Sequence, residues 1–344
     1  MNDLPPFGPG RHLLSVQQFD REGLMRLFGL ADLVRPIAAR RERCTVLDGA
    51  VLGSLFFEPS TRTRLSFESA FLRLGGEVTT TTGFTFSSMA KGESIHDTSR
   101  VVSGYSDVLV VRHPDEGSVA EFAAASVVPV VNAGDGTGEH PSQALLDFYT
   151  LGNELQARGK PVDGCTIAIV GDLKYGRTVH SLMKLLAVAD HIAFRMFSPP
   201  SLELPIEVER YVNERGHTVH ECDSVAEAVS GADVVYATRV QRERMTEEVL
   251  ATANVSGNLL NRRILRDADA EDIIIMHPLP RDSRLDSFDL ATDVDDLPGL
   301  SIFRQTDNGL LIRMAIFLTA LGCSPEEVQA ATKPHRWDAT LRWP

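Results

Sequence analysis

Phe56-Phe57-Glu58-Pro59-Ser60-Thr61-Arg62-Thr63-Arg64 is the stretch on which the reading of this chain turns. It closes an apolar run that begins at Val51 and reads as a buried strand. It then opens a segment in which Leu65, Phe67, Ala70, Phe71 and Leu74 recur at helical spacing. Hydroxyls, a guanidinium and the unsatisfied N–H groups of a helix start therefore meet at one point. That combination suits a phosphate dianion, because the helix N-terminus offers oriented donors and partial positive charge while Arg offers a matching fork. Ser60, Thr61, Arg62 and Thr63 are the candidate ligands.

Outward from this point, short apolar runs alternate with helical patterns. Strands are expected at Val51–Phe57, Val108–Val111, Val127–Val131, Thr166–Val170, Ile192–Phe197, Asp233–Ala237 and Ile273–Met276. Helices are expected between them, as at Thr178–Ala189 and Val225–Val229. This is the βαβ rhythm of α/β proteins, and 344 residues are enough for two domains. The fold expected is two doubly wound parallel-sheet domains with the active site in the cleft between them. Residues 1–155 would form the first and 156–307 the second, with a C-terminal helix at about 308–322 packing back on the first. The polar, Gly- and Pro-containing segment from Ala157 to Gly164 marks the boundary. Residues 323–344 read as a surface tail without an assigned role.

Polar motifs follow six of these strands: Pro59–Arg64, Arg112-His113-Pro114, Asn132–Gln143, Gly171–Arg177, Thr238–Gln241 and His277–Arg281. Ligands of open α/β sheets bind at the carboxyl ends of strands, so motifs from both halves point to one site. His140 and Gln143 are three apart at a helix start, where an imidazole and a carboxamide can grip a carbonyl oxygen and an NH₂ group; a capping His beside a solvated Gln is the plainer alternative. Gly171-Asp172-Leu173-Lys174-Tyr175-Gly176-Arg177-Thr178 nearly matches a P-loop, but Arg177 stands where the phosphate-reaching Lys is needed. Arg177 suits a substrate carboxylate instead, since an Arg at a helix start opposes the macrodipole without such a partner. Arg239 and Gln241 point the same way in extended chain. The prolines of His277-Pro278-Leu279-Pro280-Arg281 leave the carbonyls of Leu279 and Pro280 to accept from an NH₂ group. Ser87 to Ser94 reads alone as a loop carrying Lys91.

Charge and cysteine usage narrow the partners. A net charge of −13 argues against nucleic acid and acidic membranes. Four separated cysteines without CxxC spacing, no signal-peptide pattern and no long apolar run suggest a cytoplasmic protein with reduced thiols. The histidines lack HxH or HExxH spacing, and no metal site is expected.

Ser60-Thr61-Arg62-Thr63, Ser87 to Asp97, Arg112-His113-Pro114, His140-Pro141-Ser142-Gln143, Gly171 to His180, Arg239-Val240-Gln241 and His277 to Arg281 occur in an order that resembles the aspartate and ornithine carbamoyltransferase family. The resemblance runs from about Leu13 to Gly322 and favours the aspartate branch. Ornithine-type members carry a Cys in the segment where this chain has Pro278, and Arg177, Arg239 and Arg281 fit a dicarboxylate. It implies transfer of a carbamoyl group from carbamoyl phosphate to the α-amine of L-aspartate, an early step of de novo pyrimidine biosynthesis, with no cofactor.

Residue by residue, the resemblance implies that Ser60, Thr61, Arg62 and Thr63 hold the phosphate and that Arg112 bridges phosphate and carbonyl oxygen. His140 polarises the carbonyl, and Gln143 with the Leu279 and Pro280 carbonyls orients the NH₂. Arg177 binds the α-carboxylate of aspartate, and Arg239 with Gln241 the β-carboxylate. Lys91 and Ser87, with Ser88 the adjacent alternative, reach in from a neighbouring subunit, which implies a homotrimer with shared sites. Higher assembly with regulatory or dihydroorotase chains stays open. One departure is a small insertion at Asp282–Asp289, with Asp289 where the family has a Glu.

Overall fold

Val108-Leu109-Val110-Val111 and Ile167-Ala168-Ile169-Val170 are apolar at every position rather than at alternate ones, the pattern of strands covered on both faces. All eight side chains are 0–1% exposed. The computed structural model describes residues 4–83, 92–241, 245, 260–281 and 289–335.

In chain order the described helices are α1 (Arg21–Leu33), α2 (Arg35–Ala38), α3 (Thr61–Arg73), α4 (Ile95–Ser103), α5 (Ser118–Ala125) and α6 (Pro141–Ala157). They continue with α7 (Arg177–Leu186), α8 (Ile206–Asn213), α9 (Val225–Val229), α10 (Arg262–Asp267), α11 (Ile302–Leu321) and α12 (Pro325–Ala330). The strands are β1 (Glu42–Cys44), β2 (Val51–Phe56), β3 (Glu77–Thr82), β4 (Val108–His113), β5 (Val130–Asp135) and β6 (Thr166–Val170). The remainder are β7 (Ala193–Phe197), β8 (Thr218–Glu221), β9 (Val234–Ala237), β10 (Ile274–Met276) and β11 (Thr332–Pro334). The chain divides into one unit of Met1–Leu145 with Asp307–Pro344 and a second of Leu146–Thr306. The divisions fall inside α6 and α11, whereas the Ala157–Gly164 segment holds the end of α6 and the loop after it.

The first unit is built on a parallel sheet in the order β3-β2-β4-β5. Leu13 extends it by a parallel bridge to Val131. On one face Leu55, Phe57, Leu109, Val111, Phe122 and Val130 pack together, with the Phe57 and Phe122 rings stacked at 5.7 Å. Elsewhere in the unit, Phe67 and Phe71 of α3 meet Phe317 of α11 edge-on at 5.8 and 4.9 Å. Rings in this arrangement contribute about 0.5–1.5 kcal/mol beyond their burial, so they anchor α3 from its apolar side.

Several expectations shift here. The strand expected at Val127–Val131 begins at Val130, after Pro129, and runs to Asp135. Strand β4 continues through Arg112 and His113, with a register irregularity between Val111 and His113. The Thr-rich stretch forms edge strand β3, where one exposed flank tolerates polar side chains. The segment after Gly322, expected on the surface, is largely exposed through residue 335 but folds as α12, started by a Ser324/Glu327 capping box, and as β11, paired antiparallel with β1. Val328 anchors it at 1% exposure. Residues 336–344, with both tryptophans, lie outside the described residues.

The second unit is built on a parallel sheet in the order β10-β9-β6-β7-β8. Val170, Val225, Val229, Val235, Ile275 and Ile302 lie in one buried cluster. Edge strand β8, mostly exposed, was not legible as a strand from its polar sequence. No helix among the described residues is long and apolar enough to cross a membrane.

Candidate active site

In the first unit, three adjacent strands deliver polar side chains at their carboxyl ends. After β2 the chain turns at Pro59 and Ser60 into α3. Ser60, the N-cap residue, is extended at φ −159° and its side chain makes no capping bond. Ser, Thr and Asp at this position ordinarily spend their oxygen on the first-turn N–H groups. Thr61 and Arg62 are exposed and Thr63 is buried at 8%. At the end of β4, Arg112 pairs with Glu58 (Nε–Oε2 2.9 Å) and donates to the Ala133 carbonyl at 3.3 Å. Its guanidinium is thus held between the ends of β2 and β5, and Glu58 is a positioning partner that the sequence left without a role.

After β5 the chain loops back to α6. Gly136, at φ +52°, passes so close to Glu116 that a Cβ would lie 2.5 Å from its backbone nitrogen. Glu139 turns away to accept from the Ser15 hydroxyl at 2.7 Å and the Val16 N–H at 2.8 Å. His140, buried at 4%, then precedes α6, with its Nδ1 3.5 Å from the Ser142 hydroxyl. The His140 carbonyl accepts from the Gln143 N–H at 3.0 Å, which sets Gln143 in the first helical turn. Ser60–Thr63, Arg112, His140 and Gln143 therefore all stand at the carboxyl ends of β2, β4 and β5 or in the segments that follow them.

The second unit repeats the logic. Strand β6 is followed by Gly171, whose φ of +124° and close approach to the Thr238 carbonyl leave no room for a Cβ. Asp172, fully buried, accepts from the Tyr175 N–H at 2.9 Å and from the Gln241 N–H at 3.0 Å. One carboxylate thereby ties the β6 and β9 loops together. Arg177 is the first residue of α7 and is 5% exposed, so it is no solvated surface arginine. Arg239 and Gln241 follow β9 and are half-buried. After β10, the ring Nδ1 of His277 accepts from the Leu279 N–H at 2.9 Å, which leaves Nε2 to donate to Asp289 at 3.1 Å. The Leu279–Pro280 peptide bond is cis and Leu279 sits at φ +54°. The fold thus gives Asp289 a partner, His277, that spacing could not reveal.

Arg281, read with Arg177 and Arg239 as a dicarboxylate ligand, is engaged by Asp295 at 2.5 and 3.3 Å. Ser87, Ser88, Lys91 and Asp282–Phe288 lie outside the described residues. Among the described residues, His220, Cys222 and Glu227 bring three possible metal ligands within 4.8 Å at the end of edge strand β8. Glu227 there already accepts from the Asp223 N–H at 2.8 Å, and Arg195 lies against Cys222.

The model of the aspartate/ornithine carbamoyltransferase carbamoyl-P binding domain matches residues 11–153, and that of the Asp/Orn binding domain matches residues 163–320. The chain belongs to the aspartate/ornithine carbamoyltransferase family. It is 53% identical over 327 residues to the aspartate carbamoyltransferase catalytic subunit of Dichelobacter nodosus, covering 95% of this chain and 94% of that one. It is 45% identical over 305 residues to the chloroplastic aspartate carbamoyltransferase of Arabidopsis thaliana, covering 88% and 76%. Among solved structures, Trypanosoma cruzi aspartate transcarbamoylase in complex with carbamoyl phosphate aligns with a TM-score of 0.82 at 38% identity, covering 92% of this chain and 99% of that one. The catalytic subunit of M. jannaschii aspartate transcarbamoylase aligns at 0.77 and 40% identity, covering 89% and 96%.

Proposed function

We propose that this chain transfers the carbamoyl group of carbamoyl phosphate to the α-amine of L-aspartate, giving N-carbamoyl-L-aspartate and phosphate in an early step of de novo pyrimidine biosynthesis. The observation that carries the reading is the uncapped start of α3, Ser60 to Thr63, beside the clamped guanidinium of Arg112. Relatives from T. cruzi have been crystallised with carbamoyl phosphate and aspartate and with carbamoyl aspartate and phosphate, which supports both substrates and both products.

The first unit supplies the groups for carbamoyl phosphate. Ser60, Thr61, Arg62 and Thr63 hold its phosphate, and Arg112 spans phosphate and carbonyl oxygen. The second unit supplies Arg177 for the α-carboxylate and Arg239 with Gln241 for the β-carboxylate of aspartate. The neutral amine attacks the carbamoyl carbon, and a C–N bond forms as the C–O bond to phosphate breaks. Negative charge gathers on the carbonyl oxygen, where His140, Arg112 and Thr63 offer oriented donors. Gln143 and the carbonyls of Leu279 and Pro280 hold the carbamoyl NH₂. The bonding pair leaves with phosphate, which takes up the amine's proton. Holding two small anions in attack geometry supplies up to roughly 7–11 kcal/mol of the acceleration.

Lys91, with Ser87, completes the site of a neighbouring subunit, so the active unit is a homotrimer that works in the cytoplasm. The phosphate site is tested by Arg62→Ala. Calorimetry should record loss of carbamoyl-phosphate binding in a folded protein, with kcat/KM lowered about 100-fold or more, the scale of removing one oriented donor. Binding and turnover near the wild-type values would refute it.

A further inference from the structure

A chain of buried hydrogen bonds in the second unit lies behind the His277–Pro280 segment. Asp147 of α6, Tyr236 of β9 and Gln305 of α11 are 0–1% exposed. The Tyr236 hydroxyl donates to one Asp147 oxygen at 2.7 Å, and the Gln305 amide NH₂ donates to the other at 2.6 Å. The Gln305 carbonyl oxygen then accepts from the His277 N–H at 2.9 Å. The Thr178 hydroxyl, next to Arg177, bonds the same Tyr236 oxygen.

The polarity of this chain runs one way. A carboxylate only accepts, so both neighbours must turn donors toward it. With its NH₂ committed to Asp147, Gln305 must present its oxygen to His277. The His277 ring is fixed in turn by Leu279 and Asp289. Three bonds therefore orient the backbone that leads to the Leu279 and Pro280 carbonyls. Gln143 lies one helical turn before Asp147, on the same face of α6. Burial and the Asp147 charge both raise the Tyr236 pKa well above its ordinary value, so the phenol stays a donor.

We propose that Asp147 is a positioning residue for carbamoyl transfer: through Gln305 and His277 it fixes the backbone that presents the Leu279 and Pro280 carbonyls to the carbamoyl NH₂ group. This rests on the reaction proposed above. Tyr236 is the second support of the same carboxylate.

Asp147→Asn tests it. The amide offers one oxygen in place of two: with its NH₂ toward Gln305 two donors oppose, and with its NH₂ toward Tyr236 the phenol must accept and turn its own proton away, so in either orientation the charge-assisted hold on Gln305 is lost. Turnover with carbamoyl phosphate and L-aspartate should fall about 10- to 100-fold in kcat, the scale of an ångström misplacement, while inorganic phosphate binds as in wild type. Adding Gln305→Glu reverses the polarity of the link. The amide at position 147 can then accept from Tyr236 and donate to the new carboxylate at position 305, which still accepts from the His277 N–H. The double variant should recover most of kcat, which a general packing role would not predict. An Asp147→Asn enzyme with unchanged kcat, or a double variant no better than the single, overturns the proposal. Should Asp147→Asn fail to fold, Tyr236→Phe removes one hydroxyl only; a several-fold lower kcat is expected and an unchanged kcat overturns the proposal. A wild-type enzyme inert toward both substrates would instead refute the reaction itself.

Discussion

Asp172→Asn should separate the two substrates. The carboxylate is fully buried and accepts one N–H on each oxygen, from Tyr175 at 2.9 Å and from Gln241 at 3.0 Å. An Asn side chain has nearly the same shape but only one oxygen, so one backbone N–H must face an NH₂ group. A hydrogen bond to a charged group is worth about 1.5–3 kcal/mol net, and an opposed donor forfeits at least that. At about 1.4 kcal/mol per factor of ten, this is a factor of roughly 10 to 100. The cost falls on the loops that carry Arg177, Arg239 and Gln241, so it should appear in the KM for aspartate. The phosphate site stands on α3 and β4 of the first unit and should be untouched. Steady-state kinetics with each substrate varied, with phosphate titrated by calorimetry, reads both quantities. A KM for aspartate within about twofold of wild type in a folded variant would refute the reasoning, since the predicted loss is at least tenfold.

Two further outcomes follow from the same account. Lys91→Ala and Arg62→Ala proteins, each strongly impaired alone, should regain activity when their subunits are mixed and reassociated, because some sites would combine an intact Arg62 with a neighbour's intact Lys91; no recovery would sink the shared site. His180, whose Nε2 lies 2.7 Å from the Leu173 carbonyl, has its pKa lowered from 6.5 by burial above all. The unfolded chain then binds the proton more readily, so this residue's contribution is intact above about pH 6.5 and is lost as pH falls toward the lowered folded value. The midpoint of thermal unfolding should fall on acidification below about pH 6.5, and His180→Gln should flatten that limb; an identical slope in the variant would contradict it.

Much of the sheet architecture was legible because both-sided burial writes itself as consecutive apolar residues, as in β4 and β6. Strands β3 and β8 escaped notice because edge strands need no such run, and Glu77–Thr82 and Thr218–Glu221 are largely polar. The residues after Gly322 escaped because β11 gains its partner only through β1, some 290 residues earlier in the chain. The candidate cations and hydroxyls stand out in the sequence by their places after strands. Their supports do not: Asp147 and Tyr236 are 89 residues apart, Asp147 and Gln305 are 158 apart, and nothing local marks either pair. Glu58 was in plain sight beside Ser60, yet its ion pair with Arg112 depends on β2 and β4 being neighbours. Arg281 is the reverse case, a residue of suitable chemistry whose guanidinium Asp295 has claimed.

The most direct test is a steady-state assay of the wild-type protein with carbamoyl phosphate, offering L-aspartate and L-ornithine in parallel and scoring carbamoylated product and phosphate. The account predicts saturable carbamoylation of aspartate with one phosphate released per transfer, and no carbamoylation of ornithine. Turnover of ornithine, or phosphate release without carbamoyl aspartate, would contradict it.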